Sequence, residues 1–155
     1  MISSSRGKVS KAELVFCCAV TNSYAFDFLV RQRTSTTISM FTFYQLPVPR
    51  LTEKDAGFAA IVRRAARLMC TTPEFDDLTK EVGAALHVPR SELKGATAPA
   101  ERAKLRAELD GLIAHLYELT EEEFAHILST FPLVSDAAKA AAQSAYRDAA
   151  NGLIE

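Results

Sequence analysis

Side chains able to do chemistry are few in this chain, and their spacing does not suit catalysis. The three histidines are His87, His115 and His126; the three cysteines are Cys17, Cys18 and Cys70. No histidine stands at ligand spacing from a cysteine, no HExxH or CxxC occurs, and no Gly-rich phosphate loop follows a strand-like run. A lone histidine on an apolar helix is a packed or surface residue far more often than a catalyst. Glu121, Glu122 and Glu123 are consecutive, so on a helix they point in different directions. They suit the positive end of a helix dipole better than a metal ion. Three cysteines, two of them adjacent, do not make a disulfide framework. Buried free thiols in a reducing, cytoplasmic compartment are expected instead. From this set we expect no enzyme, no metal and no cofactor.

The chemistry that is present suits an anion. Arg31, Gln32 and Arg33 end a helical pattern and run into Thr34, Ser35, Thr36 and Thr37. Arginine and glutamine read base edges bidentately, and hydroxyls suit phosphate oxygens. A second set, Arg63, Arg64 and Arg67, lies opposite the apolar stripe of another helical pattern, with Arg50 and Lys54 ahead of it. It is placed to track a phosphate backbone. The expected DNA contacts are therefore Arg31, Gln32, Arg33, Thr36, Thr37, Arg63, Arg64 and Arg67. Both sets have a plainer reading, as cations at a helix C-terminus and as a solvated helix face. Charge is uneven along the chain. Residues 1–69 hold ten Lys/Arg and four Asp/Glu, a charge of +6, and residues 70–155 hold eight and fifteen, a charge of −7. A positive half beside a negative one hints at a nucleic-acid-facing surface.

The elements that must position these residues are mainly α. A chain of 155 residues is about one domain in length. The pattern predicts a helical bundle of about five to six helices with one short strand or hairpin near the N-terminus. One helix is expected over 11–33, capped by Ser10 and Glu13, with Leu14, Cys17, Cys18, Thr21, Ala25, Phe28 and Leu29 on its apolar face. A strand is expected over 38–44, with Phe41 and Phe43 in the core, ended by Pro47 and Pro49. A lone strand has open edges, so it needs the first ten residues, a second copy of the chain or a sheet elsewhere. Next comes a helix from Thr52 and Asp55 to residue 70, with Phe58, Ile61, Val62, Ala65, Leu68 and Met69 inward. Helices over 74–86, 99–119, 120–130 and 135–150 follow, with a linker-like stretch over 88–99. No run of about 20 apolar residues is present, so no membrane span is expected.

Two blocks carry a family resemblance. Asn22-Ser23, Phe26-Asp27-Phe28, Arg31-Gln32 and Gln45-Leu46-Pro47-Val48-Pro49 resemble the close of the target-recognition region in large adenine-specific DNA methyltransferases, of the type IIG-like restriction–modification and phage-defence kind. In those proteins glycines commonly occupy the polar turn where this chain has Thr34 to Thr37. The second block runs from Glu101-Arg102 through Glu108-Leu109-Asp110 to His115-Leu116-Tyr117-Glu118-Leu119-Thr120, then Ile127 to Val134. It is similar to their C-terminal tail. Together the blocks cover most of residues 20–135. The resemblance implies that residues 1–50 end a target-recognition region and residues 51–155 form a C-terminal helical domain. It implies a non-catalytic fragment of an S-adenosylmethionine-dependent enzyme that contributes to DNA binding. The acidic–Pro–Pro–aromatic motif that holds the target adenine is absent from this sequence. Implied partners are double-stranded DNA, bound weakly by this part alone, and the catalytic part of the parent. The rival expectation is a helical interaction or oligomerisation module without DNA binding.

Overall fold

Ser10 opens the first helix through a reciprocal capping box: its hydroxyl accepts from Glu13 N at 3.1 Å, and Ser10 N donates to Glu13 Oε2 at 2.7 Å. In the computed structural model, which describes residues 9–34 and 37–154, this helix is α1, Lys11–Thr21. It does not continue to residue 33. Asn22 and Ser23 both compete for backbone partners, which ends one helix and starts the next. Asn22 Nδ2 donates to Cys18 O at 2.8 Å, and Ser23 Oγ accepts from Phe26 N at 3.2 Å. Helix α2, Tyr24–Arg33, leaves at 65° to α1. The expected apolar face fails at its N-terminal end, whereas Ala25 is buried and Phe28 and Leu29 are half-buried as expected. Leu14 is 52% exposed and Cys17 is exposed, whereas Ala12, Val15, Phe16, Ala19 and Val20 are buried. The segment is apolar nearly all round, so its period alone could not choose the inward side.

The expected strand is also overturned: no strand is present among the described residues. Met40–Tyr44 is a one-turn helix, α3, capped by Ser39, whose Oγ accepts from Thr42 N at 3.1 Å. Ile, Phe, Thr and Tyr favour strands, but a strand here has no neighbour to pair with. One helical turn satisfies the backbone locally: Phe43 N bonds Ser39 O, and Gln45 N bonds Thr42 O. Neither expected core ring is core: Phe43 turns toward Phe26, with ring centroids 6.1 Å apart, but is still 38% exposed, and Phe41 is 75% exposed.

Thr52 and Asp55 form a turn, not a helix start. Asp55 Oδ2 accepts from both the backbone N–H and the hydroxyl of Thr52, which holds its carboxyl below the usual range. Helix α4 then begins later, at Phe58–Met69. A 3-10 turn at Pro73–Phe75 leads into α5, Asp76–Leu86. Residues 88–99, expected as a linker, are mostly exposed but are pinned to the body by Leu93 and Ala96. A 3-10 turn at Arg90–Leu93 buries Leu93 completely, and Ala96 N donates to Arg67 O at 2.7 Å. Gly95 passes so close to the end of α4 that a Cβ there would overlap the Cys70 carbonyl oxygen.

Helix α6, Pro99–Leu116, is the spine. Its Leu109 and Ile113 join Val15, Phe16 and Val20 of α1, Phe58, Ile61 and Val62 of α4, and Val82 of α5 in the main core. Phe16 and Phe58 stack there at 5.4 Å. On the other side of α6, Ala114 packs with Phe124 and Leu128 of α7, Glu121–Ser129, and with Ala142 and Tyr146 of α8, Asp136–Ala150. Thr120 and Glu123 form the second capping box, and its hydrogen bonds lower the Glu123 pKa, so the acidic run serves the helix end. His115 stacks on Tyr146 at 3.9 Å, and its Nε2 lies 2.8 Å from Tyr146 O, a packed histidine. No single helix among the described residues is long and apolar enough to cross a membrane; α1 and α2 pass that test only as a bent pair.

Candidate nucleic-acid interface

The eight expected contact residues fall into two places. Arg63, Arg64 and Arg67 of α4 line an open groove of about 660 Å³, with Lys94, Gly95 and Thr97 on one wall and Glu101, Leu105 and Glu108 of α6 on the other. Arg31, Gln32, Arg33 and Thr37 lie elsewhere, at the end of α2 and the approach to α3. Thr36 lies outside the described residues.

In the groove the arginines already face carboxylates. Arg64 Nε donates to Glu108 Oε2 at 2.7 Å, and Nη1 donates to Ala60 O at 3.0 Å. Arg67 pairs with Glu101 and donates through Nε to Lys94 O at 3.3 Å. Arg63 Nη1 is 3.7 Å from Glu92 Oε2. The uneven charge along the sequence is thus partly resolved inside the molecule, where cations of the front half meet acids of the back half. A DNA phosphate entering here has to displace a carboxylate. The sequence pattern showed the arginines on one face; it held no signal that Glu92, Glu101 and Glu108 would be opposite them.

These pairs differ in worth. The side chains of Arg64 and Glu108 are only 14% and 13% exposed, so their charges are poorly solvated. Removing one partner of a buried pair is costly because the other charge stays behind. Glu108→Ala is expected to lower unfolding free energy by about 2 kcal/mol, and Glu108→Gln, which keeps an acceptor for Arg64, by less. Urea denaturation followed by circular dichroism measures both; equal stability of Glu108→Ala and the parent chain would contradict this ranking. Arg63 and Glu92 are more than 40% exposed, where an ion pair contributes little.

At the α2 tip the residues divide again. The Arg31 guanidinium lies 3.9 Å over the Phe131 ring, 3.1 Å from Asp27 Oδ2, and donates to Thr130 O at 3.4 Å. It ties α2 to the C-terminal end of α7, where a cation is favoured. Gln32, Arg33 and Thr37 are exposed. Between Asp27 and Glu53 the chain has three arginines, Arg31, Arg33 and Arg50, and no acid. Phe41 and Tyr44 of α3 are also exposed here, at 75% and 77%. Sequence reasoning assigned the aromatics of this stretch to a strand and a core; the signal for the outward face is their helical spacing, Met40, Phe41, Tyr44.

Among the described residues no group of three or more His, Cys, Asp and Glu side chains is placed to hold a metal ion. The cysteines are free thiols, but only Cys70 is buried; Cys17 is exposed and Cys18 half-buried. No protein-family model, curated protein or solved structure matches this chain.

Proposed function

We propose that this chain is the C-terminal recognition portion of an adenine-specific DNA methyltransferase, which holds DNA without a catalytic centre of its own. The observation that carries the reading is the acid-free segment 28–52, whose Gln32, Arg33 and Thr37 all stand exposed at the end of a helix braced by Arg31 on α7. The two resemblance blocks support it: the first contributes this tip, and the second contributes α6 and α7, which brace it. Contact begins at the tip. Arg63, Arg64 and Arg67 are a secondary surface, since their charge is shared with Glu92, Glu101 and Glu108. The catalytic part of the parent, with its S-adenosylmethionine, is the natural partner in this reading.

Fluorescence anisotropy with a duplex of about 25 base pairs tests it. Binding is expected at low salt, falling steeply as salt rises, because phosphate contacts release counterions. The double variant Gln32→Ala/Arg33→Glu is expected to weaken binding at least tenfold at the same salt. Equal affinity of variant and parent chain removes the tip from the interface, and no binding at low salt overturns the reading.

The uncovered apolar face of α3, with Met40 at 62% and Tyr44 at 77% exposure, favours a second reading as an interaction module. A second copy of the chain is its first candidate partner. A single monomeric species in sedimentation at high protein concentration would exclude that copy.

A further inference from the structure

We infer that the outward face of α3 is a stacking platform for unpaired nucleobases, so that the chain binds single-stranded DNA in preference to duplex. The inference rests on the proposed DNA reading and specifies which state of the DNA the tip holds. Met40, Phe41 and Tyr44 share one side of the α3 turn and are 62%, 75% and 77% exposed. Large apolar side chains presented together to water mark a binding surface.

The platform is fastened on its C-terminal side. Phe43 faces the other way, onto buried Phe26. Leu46, just after the helix, is 7% exposed, and the Tyr117 hydroxyl donates to Pro47 O at 2.9 Å. The Ser39 cap fixes the start of the turn. The two exposed rings, three residues apart, thus stand on a turn fastened to the body on its C-terminal side, which lowers the freedom lost when they are ordered on a ligand.

The surroundings select the occupant. The acid-free segment 28–52 carries Arg31, Arg33 and Arg50; of the two acids that bound it, Asp27 is paired with Arg31 and Glu53 is exposed beyond Thr52, which leaves Arg33 and Arg50 as the cations open to a phosphate. Thr37 adds an exposed hydroxyl just ahead of the turn in the chain. Cationic and hydroxyl groups for phosphate, next to aromatic faces for bases, are the pairing that single-stranded binders use. A duplex keeps its bases stacked on one another and offers the rings no π-face, so it uses the arginines and leaves Phe41 and Tyr44 idle. A second copy of the chain matches the apolar face but brings the same arginines against these, with no acid between residues 28 and 52 to answer them.

The test compares a fluorescein-labelled single strand of about 20 nucleotides with its own duplex by anisotropy, for the parent chain and for Phe41→Ala/Tyr44→Ala. Both side chains are exposed, so the variant is expected to fold, which circular dichroism checks. The single strand is expected to bind at least tenfold tighter than the duplex. The double variant is expected to lose about a hundredfold on the single strand, since each stacked base contributes roughly tenfold or more, and to stay within twofold on duplex. The chain has no tryptophan and four tyrosines. Among them Tyr44 is the exposed one, with Tyr24 and Tyr117 half-buried and Tyr146 buried. Tyrosine emission should thus fall on adding the single strand and stay unchanged in Tyr44→Phe. Duplex binding that equals or exceeds single-strand binding, with no effect of the double variant, overturns the platform and leaves the duplex reading standing. Loss of both kinds of binding in the parent chain overturns both. Self-association abolished by the double variant, with no response to DNA, overturns the platform and gives the face to a second copy.

Discussion

Gly111→Ala is expected to lower the unfolding free energy by about 2 kcal/mol, although alanine is the better helix former by about 1 kcal/mol. The reversal of sign is the point. Gly111 lies in the middle of α6, where a glycine costs backbone entropy and has no cap or turn to justify it. A Cβ there would sit 2.6 Å from Tyr146 N and 2.7 Å from Ala145 C of α8. Those are backbone atoms, so no rotamer change relieves the overlap; α8 must shift as a unit. Overpacking of this kind costs about 1–3 kcal/mol, and here it also loosens what Tyr146 holds. The Tyr146 hydroxyl donates to Leu119 O at 2.8 Å, and its ring stacks on His115 and touches Phe124. Urea unfolding monitored at the helix band measures the difference. A variant more stable than the parent chain by about 1 kcal/mol, the propensity value alone, would falsify the close approach of α6 and α8.

That glycine shows which kinds of information periodicity carries and which it does not. The inward register of α6 was readable in part: of Leu105, Leu109, Leu112, Ile113 and Leu116, which fall in register, Leu105, Leu109 and Ile113 are buried and Leu112 and Leu116 half-buried. So was that of α4, where Phe58, Ile61, Val62 and Ala65 are all buried. Helix α4 has a distinct polar side, so its pattern has one direction; α6 packs on two sides, and its apolar residues spaced by four marked only one of them. Segment 11–33 has no such side, and a face drawn through Leu14 and Cys17 came out facing solvent. Close approach between helices depends on the absence of a side chain, which a pattern of apolar residues does not register. Capping boxes depend on neighbours three residues apart, so Ser10-Glu13 and Thr120-Glu123 were legible. Thr52-Asp55 makes only one of the two box bonds, Thr52 N to Asp55 Oδ2, while Asp55 N turns to the Thr52 carbonyl, and no helix starts there.

For the candidate interface, the sequence carried residue types but not their placement. Arg31 carried the right chemistry for an anion, but Phe131, a hundred residues on, turns its guanidinium toward α7. Arg64 met Glu108 across forty-four positions. Such pairings are set by how helices pack, and nothing local announces them. The aromatics of residues 38–44 were visible, and their β-branched and aromatic character argued for a strand. What decided otherwise was the lack of a neighbouring strand, a property of the whole fold. The difference matters for function, because a strand alternates its rings between two faces, whereas one helical turn sets Phe41 and Tyr44 on the same side.

Asp110→Asn is expected to stabilise the protein above neutral pH and to leave it unchanged in mild acid. Asp110 of α6 is half-buried beside the start of α2, and its Oδ1 accepts from Tyr24 N at 3.0 Å, closing the first turn of α2 from another helix. It lines two cavities, one of about 440 Å³ with Cys18, Asn22, Arg102 and Arg106, and one of about 660 Å³ with Lys104, Glu108 and Asp148. Burial pushes its carboxyl up to about 7, against the opposing effect of the Tyr24 N–H. Burial and the same carboxylate also raise the Tyr24 phenol, with Arg106 working the other way. Because the folded pKa lies above the unfolded one, the folded state holds a proton between about pH 4 and 7 that the unfolded chain has released. Stability therefore falls as pH rises through that window and is flat above it. A carboxyl titrating near 7 rather than near 4 corresponds to about 4 kcal/mol of folding free energy; partial solvation at the cavity mouths reduces this to about 2 kcal/mol. Asparagine mimics the protonated acid, since it keeps an oxygen for Tyr24 N–H and carries no charge. Its unfolding free energy is expected to exceed that of the parent chain by about 2 kcal/mol at pH 8 and to match it near pH 4.5. Asp110→Ala, which removes the acceptor, is expected to lose about 1 kcal/mol relative to asparagine at both pH values. If Asp110→Asn instead weakens the protein at pH 8, the carboxylate is held as an anion by the α2 N-terminus and the arginines, and the direction of its pKa is opposite to the one argued from burial.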